Sequence, residues 1–329
     1  MTDINLLLTE LNFKAAYHVE NRASIADLFK PDKRCGIYIL HFATGECYIG
    51  QAVDVARRYV QHCKNHTDIL KISFQPIKQQ SLNHVEQTVI QRFERENFQL
   101  RNIALTSIPK GESDFDQIMP EEVQNEWLNN LSLVDLDGNR PTDPALRQKY
   151  QRRFHQFEQK KASREVLTIL QAYVLTGIPA IKRGEISFWS CSCLPSYQTP
   201  GVTIFSRVNV YWQEVFTISE YRDDLSFSWH VARTPLEAHF GLSLSGLRQR
   251  LPFVTITGHQ YTPGGADQVN LAVGNAPEAL KLLKDQSVLQ ATRLFNLRLM
   301  KKGACTYSRY HCLSLADKLI NKPHFFPSS

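Results

Sequence analysis

Apolar and polar positions along this chain follow two periods in turn. Residues 36–42 (GIYILHF) are apolar almost without a break and rich in β-branched and aromatic side chains, the pattern of a strand buried on both faces. Residues 43–46 read as a turn, with Gly45 free to take positive φ, and residues 47–50 (CYIG) return as the antiparallel partner. The period then lengthens. Asp54 is suited to N-cap a helix over 54–65 with Ala56, Tyr59, Val60 and Cys63 as its core stripe. Residues 69–77 (ILKISFQPI) predict a third strand, with Pro76 marking an edge or a strand end. Residues 82–96 (LNHVEQTVIQRFERE) predict a second helix. Upstream, Leu6, Leu7, Leu11 and Phe13, then Ile25, Leu28 and Phe29, give apolar stripes for one or two helices over 2–30, a cover docked on the strand-and-helix module after them.

Beyond residue 104 the pattern loosens into a polar, proline- and glycine-containing linker to about 120. A short helix is expected over 121–131, a turn at 137–141, one very basic helix over 143–161 and an apolar helix from 163. From 186 the period shortens again. Segments 186–194, 203–212, 214–221, 226–232, 254–261 and 268–273 are strand candidates, interrupted or followed by helices at 235–250, 277–302 and 313–320. The expected organisation is therefore an N-terminal helical extension (1–34), an α/β module with a three-stranded antiparallel sheet flanked by helices (35–104), a linker and helical connector (105–180), and an α+β domain with a mostly antiparallel sheet (181–329).

Composition narrows the class only modestly. A chain of 329 residues, 43% hydrophobic and 21% charged, suits a globular protein with more than one domain. The net charge of +6 fits a polyanionic partner without requiring one. No apolar run approaches a membrane span, and the start MTDINLLLTELNF lacks the basic region and cleavage site of a signal peptide. Seven scattered cysteines suggest free thiols in a reducing cytoplasm. No feature indicates a homo-oligomer.

Candidate chemistry gathers in the first module. Tyr38 and Tyr48 sit on paired strands. Arg58 brings a planar donor fork suited to phosphate oxygens, and His62, one helical turn on, can accept or relay a proton near neutral pH. Glu86 falls among Leu82, Val89, Ile90 and Phe93, inside the stripe that should face the core, where a carboxylate is costly without a cation or metal. A stripe-edge glutamate paired with Arg or Lys is the bland alternative. Glu94 and Glu96 have the flanks of a solvated face.

The tripeptides Gly36-Ile37-Tyr38 and Tyr48-Ile49-Gly50, with Arg58, His62, Glu86 and Asn102 following in order, resemble the GIY-YIG nuclease family over residues 35–103, under a quarter of the chain. The resemblance implies a metal-dependent endonuclease acting on DNA. Tyr38 would be the general base, Arg58 and one Mg²⁺ (or Mn²⁺) would stabilise the pentavalent phosphate, and Glu86 would hold the metal. Tyr48 would position water or phosphate, and Asn102 would brace the hairpin. Arg57 and Asn97 are the neighbouring competitors for the places given to Arg58 and Asn102. A free tyrosine has a pKa of about 10, so Tyr38 needs help to act at neutral pH.

The second half resembles no known family and reads as the part that selects the target. Restriction, phage defence, repair and mobile-element roles all suit that organisation. The competing readings are a non-catalytic DNA-binding protein on a nuclease fold, and a nuclease gated by a ligand or partner bound to the C-terminal domain. Arg57, Arg152, Arg153, Lys301, Lys302 and Arg309 are candidate nucleic-acid contacts, the last three within a segment (293–310) that interleaves basic and aromatic residues. Cys191 and Cys193 invite a zinc reading with Cys305, His311 and Cys312, but the spacing falls short of zinc patterns and buried core thiols are the commoner outcome. Trp189, Tyr211, Trp212 and Trp229 read mainly as core, with a pocket for a flipped base as the outside alternative.

Overall fold

Strand pairing in the N-terminal part is organised by the apolar run at 36–42. A computed structural model describes residues 3–14, 16–64, 66–102, 113–258 and 262–320; the expected helix end at Asn65, module end at Ile103, linker 104–112 and strand end 259–261 lie outside them. The chain divides into two units, Met1–Lys110 and Gly111–Ser329.

In the first unit, β2 (Gly36–Phe42) pairs antiparallel with β3 (Cys47–Ala52) on one side and β4 (Ile69–Pro76) on the other. Flanked by both neighbours, β2 needs apolar side chains on both faces, which its sequence supplies. The sheet has four strands rather than the expected three, in the order β1-β4-β2-β3, because β1 (Tyr17–His18) adds beside β4. Pro76 thus marks the end of an internal strand, paired with Gly36. Among the described residues the upstream segment holds one helix, α1 (Ile4–Glu10); the apolar residues at 25–29 lie in a turn, with the Leu28 amide donating to the Ile25 carbonyl.

Helix α2 (Val55–Cys63) covers one face of the sheet and α3 (Leu82–Arg95) the other. Ile37, Ile39 and Ile49 pack with Leu82, Val89, Ile90 and Phe93. Tyr38, Leu40 and Phe42 pack with Val55, Ala56 and Tyr59. Val60, expected in the stripe of α2, is 39% exposed, and Val55 at the helix start takes the buried position instead.

The second unit is an α+β body around a six-stranded sheet, every pair antiparallel, in the order β5-β6-β7-β8-β10-β9. The strands are β5 (Trp189–Cys193), β6 (Val202–Val210), β7 (Gln213–Tyr221), β8 (Asp224–Ala232), β9 (Thr255–Gly258) and β10 (Gln268–Val273). The expected connector does not stand apart. Helices α4 (Glu121–Asn129), α6 (Gln151–Glu158) and α7 (Ser163–Gly177) put Trp127, Phe154, Phe157 and Tyr173 into the same core as Trp189, Phe216 and Trp229, while α5 (Pro144–Gln148), between α4 and α6, buries no side chain. The basic helix expected over 143–161 is broken at 149–150, between α5 and α6. Helices α8 (Arg233–Phe240), α9 (Leu244–Arg250), α10 (Ala276–Lys284), α11 (Gln286–Met300) and α12 (Leu313–Ile320) complete the unit. Among the described residues no helix is long and apolar enough to cross a membrane.

Candidate active site

The hairpin register sets the first part of the site. Tyr38 lies opposite Gly50, and Tyr48 opposite Leu40, so both tyrosines project from one face of the sheet with ring centroids 6.3 Å apart. Gly50 is required here, because a Cβ would overlap the Tyr38 hydroxyl. Gly36 serves the backbone instead: a Cβ there would overlap the carbonyl oxygen of Gln75 on β4. The two glycines have separate jobs, one clearing room for a side chain and the other for a strand.

Asp54 fixes the start of α2, accepting the amide hydrogens of Ala56 (2.9 Å) and Arg57 (3.1 Å). That phase carries Arg58 and His62 to Tyr38. Arg58 Nε donates to Tyr38 Oη at 3.3 Å, and Tyr38 Oη lies 2.7 Å from His62 Nε2. A guanidinium can only donate, so Tyr38 Oη accepts from Arg58; with His62 in its Nδ1–H tautomer, the Tyr38 hydroxyl donates to Nε2. Arg58 also bonds the Tyr48 side chain, and its Nη1 donates to Gln61 Oε1 at 2.8 Å. His62 is 4.7 Å from Tyr48 by ring centroids and stacks at 6.0 Å on His66.

Electrostatics sharpen the roles. Burial, with the nearby Arg58 and His66 charges, pushes His62 down to about 4, so its imidazole is neutral at pH 7 and free to accept a proton. Burial, reinforced by Tyr48 and Glu86, pushes the Tyr38 hydroxyl well up, against the opposing pull of Arg58. Tyr38 is therefore protonated at rest.

Glu86 sits on the buried stripe of α3, 8% exposed. Its hydrogen bonds come from Gln51, whose Nε2 reaches Oε2 at 3.0 Å and whose backbone also donates. Gln51 Nε2 in turn donates to Asn83 Oδ1 at 2.6 Å. Burial raises the Glu86 carboxyl, with Gln51 and the Arg58 charge only partly offsetting it. The bland alternative required a cation paired directly with Glu86; among the described residues it makes no ion pair. A buried carboxylate with only a neutral partner fits a hard divalent cation, which commonly takes one or two protein carboxylates and fills its shell with water and phosphate oxygens. Consistent with so sparse a donor set, no group of three or more His, Cys, Asp or Glu stands ready for a metal among the described residues.

Asn102 makes a two-way clasp with Ile49 between the site tyrosine Tyr48 and Gly50: the Ile49 amide donates to Oδ1 (2.9 Å) and Nδ2 donates to the Ile49 carbonyl (2.5 Å). The tail 99–102 is held beside β3 by Cys47–Gln99 and Arg101–Cys47 backbone bonds. Arg101, missed in the sequence, bonds Glu46 and Asp68 and lies 3.7 Å above the Phe42 ring. Gln51, Gln61 and His66 were missed as well. A glutamine on a strand carries no period or charge signal that would single it out.

The expected nucleic-acid contacts divide. Arg57 and Arg152 are exposed. Arg309 is exposed, its guanidinium over the Tyr310 ring at 4.7 Å. Arg153 is engaged internally with the Leu194 carbonyl and Ser196. Lys301 is paired with Asp116 and Glu121, and buried Lys302 donates to the Pro263 carbonyl, so neither is available to track a phosphate backbone. Arg293, at the start of that basic segment, is fully buried and donates to the carbonyls of Thr176, Trp127, Asn130, Leu131 and Leu133. The zinc alternative meets a similar obstacle: His311 accepts the Cys191 amide at Nδ1 (3.1 Å) and meets Glu185 at Nε2 (2.9 Å), which engages both ring nitrogens. Trp189 and Trp229 are fully buried and Tyr211 nearly so, whereas Trp212 is 52% exposed. The three buried rings thus serve the core of the second unit.

No family model, curated protein or solved structure matches this chain.

Proposed function

We propose that the first unit is a divalent-metal-dependent phosphodiesterase of the GIY-YIG nuclease type, cutting DNA, with the second unit selecting the target. The observation that carries this reading is the convergence of Tyr38, Tyr48, Arg58 and His62 from two strands and a helix, with Glu86 within electrostatic reach on a second helix.

The chain's own groups can move the proton that hydrolysis requires. Water attacking phosphorus must lose a proton as the bond forms. Tyr38, protonated at rest, takes that proton while passing its own to the neutral Nε2 of His62 at 2.7 Å. Arg58 holds the Tyr38 oxygen from the other side and stabilises the oxyanion character it acquires in transit. The remaining donors of the same guanidinium suit the non-bridging phosphate oxygens. Mg²⁺ or Mn²⁺, held by Glu86, would supply charge stabilisation at the phosphate. Asn102 keeps the hairpin between the tyrosines in register.

The test is cleavage of plasmid, single-stranded and branched DNA in Mg²⁺ or Mn²⁺ by the wild type and by Glu86→Ala, with Mn²⁺ binding measured separately by calorimetry. Loss of both cleavage and metal binding in the variant is the expected result. Undiminished cleavage in Glu86→Ala would sink the site assignment. Tight binding with no cleavage of any substrate would favour a binder on a nuclease fold.

A further inference from the structure

A cleft of about 550 Å³ opens in the second unit between α6 and the connection from β5 to β6, within the size range of small-ligand sites. Its walls differ in character. Leu194 and Ile204 give an apolar side, Gln156, Gln159 and Lys160 a polar rim, and Tyr197 an aromatic surface left 50% exposed. β5 is an edge strand, so the connection leaving it is not covered by another strand.

The walls are preformed. Arg153 donates to the Leu194 carbonyl (3.3 Å) and to Ser196 (3.4 Å), tying the connection to α6. The Arg207 guanidinium lies 5.7 Å from the Tyr197 ring centroid and is itself held by Glu214 at 3.2 Å. By contrast, the Lys160 ammonium and the side-chain amides of Gln156 and Gln159 have no partner among the described residues. A half-exposed ring backed by a cation, two free amides and a free ammonium around one cleft are the parts that recognise a flat heteroaromatic ring carrying an anion.

We propose that this cleft binds a nucleotide, its base stacked on Tyr197, the base edge facing Gln156 and Gln159, and its phosphate drawn to Lys160. The nucleotide has two sources: a free nucleotide acting as a ligand of the second unit, or a nucleotide unstacked from a DNA strand. The first stands on the cleft alone; the second also rests on the phosphodiesterase reading.

Wild-type protein in excess chelator, where no metal-dependent cleavage occurs, is titrated calorimetrically with deoxynucleoside monophosphates, a single-stranded oligonucleotide and inorganic phosphate. Tyr197→Ala is expected to raise the dissociation constant about tenfold, and Tyr197→Phe, which keeps the ring, to leave it within about twofold. Lys160→Ala weakens oligonucleotide binding and lowers its log–log salt slope by about 1. Binding of monophosphates identifies the free source, and binding of the oligonucleotide alone identifies the strand. Inorganic phosphate binding as tightly as the nucleotides, no nucleotide binding at all, or Tyr197→Ala without effect would overturn the proposal. Nucleotide binding by a protein that cleaves nothing would leave the cleft standing and remove the phosphodiesterase reading, so the two fail separately.

Discussion

Each unit joins an arginine to a buried histidine and a buried glutamate, and the two clusters are wired in opposite ways. In the second unit, Arg140 grips Glu185 through two bonds of 2.7 Å and also pairs with Asp317, which Arg147 meets at 2.6 Å. His311 closes on Glu185 at 2.9 Å and on the Cys191 amide at 3.1 Å. Burial alone would raise the Glu185 carboxyl, yet the bonds from Arg140 and His311 prevail and hold it low. In the first unit, Arg58 points at two tyrosines, His62 at a hydroxyl, and Glu86 at the neutral Gln51. There burial prevails: Glu86 is raised and His62 lowered. The same residue types thus make a fastener where every charge is answered inside the fold, and, in the proposed site, leave one carboxylate with a neutral partner.

The sharpest way to break this contrast is to remove each carboxylate in turn. Glu86→Gln is expected to lower metal-dependent cleavage by roughly 10³-fold or more while leaving thermal stability unchanged or slightly improved, because a poorly compensated buried charge is removed. Glu185→Gln should do the reverse, costing about 1–3 kcal/mol of stability, because Arg140 keeps Asp317 but loses its two-bond carboxylate partner. Calorimetric melting and a plasmid-nicking assay on both variants check this. A large stability loss in Glu86→Gln would show that carboxylate to be structural after all.

Tyr38→Phe keeps the ring and deletes the relay, and is expected to lower kcat by roughly 10²–10⁴-fold with DNA affinity held. In the same assay, kcat/KM for the wild type should persist well below pH 6.5 and fail on approaching the His62 value of about 4, since protonated His62 cannot accept from Tyr38. An acid limb centred near 6.5 would exclude His62 as the acceptor. The stability effect is smaller. His62 and His41 are both pushed down to about 4 by burial, so the unfolded chain takes up protons at pH values where the folded unit does not. Stability is therefore lost as pH falls from about 6.5 towards 4, by roughly 2 kcal/mol at pH 5 for the two together once solvent screening is allowed for. Urea midpoints at pH 7 and pH 5 read this directly, and His41→Gln should flatten the difference.

The smallest effect separates two glycines. Gly50→Ala forces a methyl onto the Tyr38 hydroxyl and should cost about 1–3 kcal/mol together with most of the activity. Gly45→Ala meets nothing within 4 Å but must keep φ at +83°, so it should cost about 1 kcal/mol and leave cleavage intact. Equal activity losses in the two would mean that the hairpin as a whole, rather than clearance for Tyr38, is what matters at Gly50.

Much of this protein is dictated by local pattern alone. The doubly apolar run at 36–42, the Asp54 cap and the 3.6-residue stripe around Glu86 each act within a few residues, so β2, α2 and α3 lie close to where the sequence puts them. The six strands of the second unit are legible for the same reason. What local pattern leaves open is anything set by a distant partner. Two residues at 17–18 have no period to betray β1, which exists because β4 offers an edge. Arg293 looks like a surface cation until loop carbonyls some 160 positions away enclose it, with separations of 160 to 166 residues for those of the 127–133 segment. Pairing decided the candidate site as well. Sequence placed a tyrosine on a strand, an arginine and a histidine on one helix and a glutamate on another; only the folded unit shows that Tyr38 is shared between Arg58 and His62, and that Glu86 is met by Gln51 rather than by a cation. Charge and burial act through space, and a carboxylate is locked to cations or left beside a neutral amide according to what the rest of the chain brings to it.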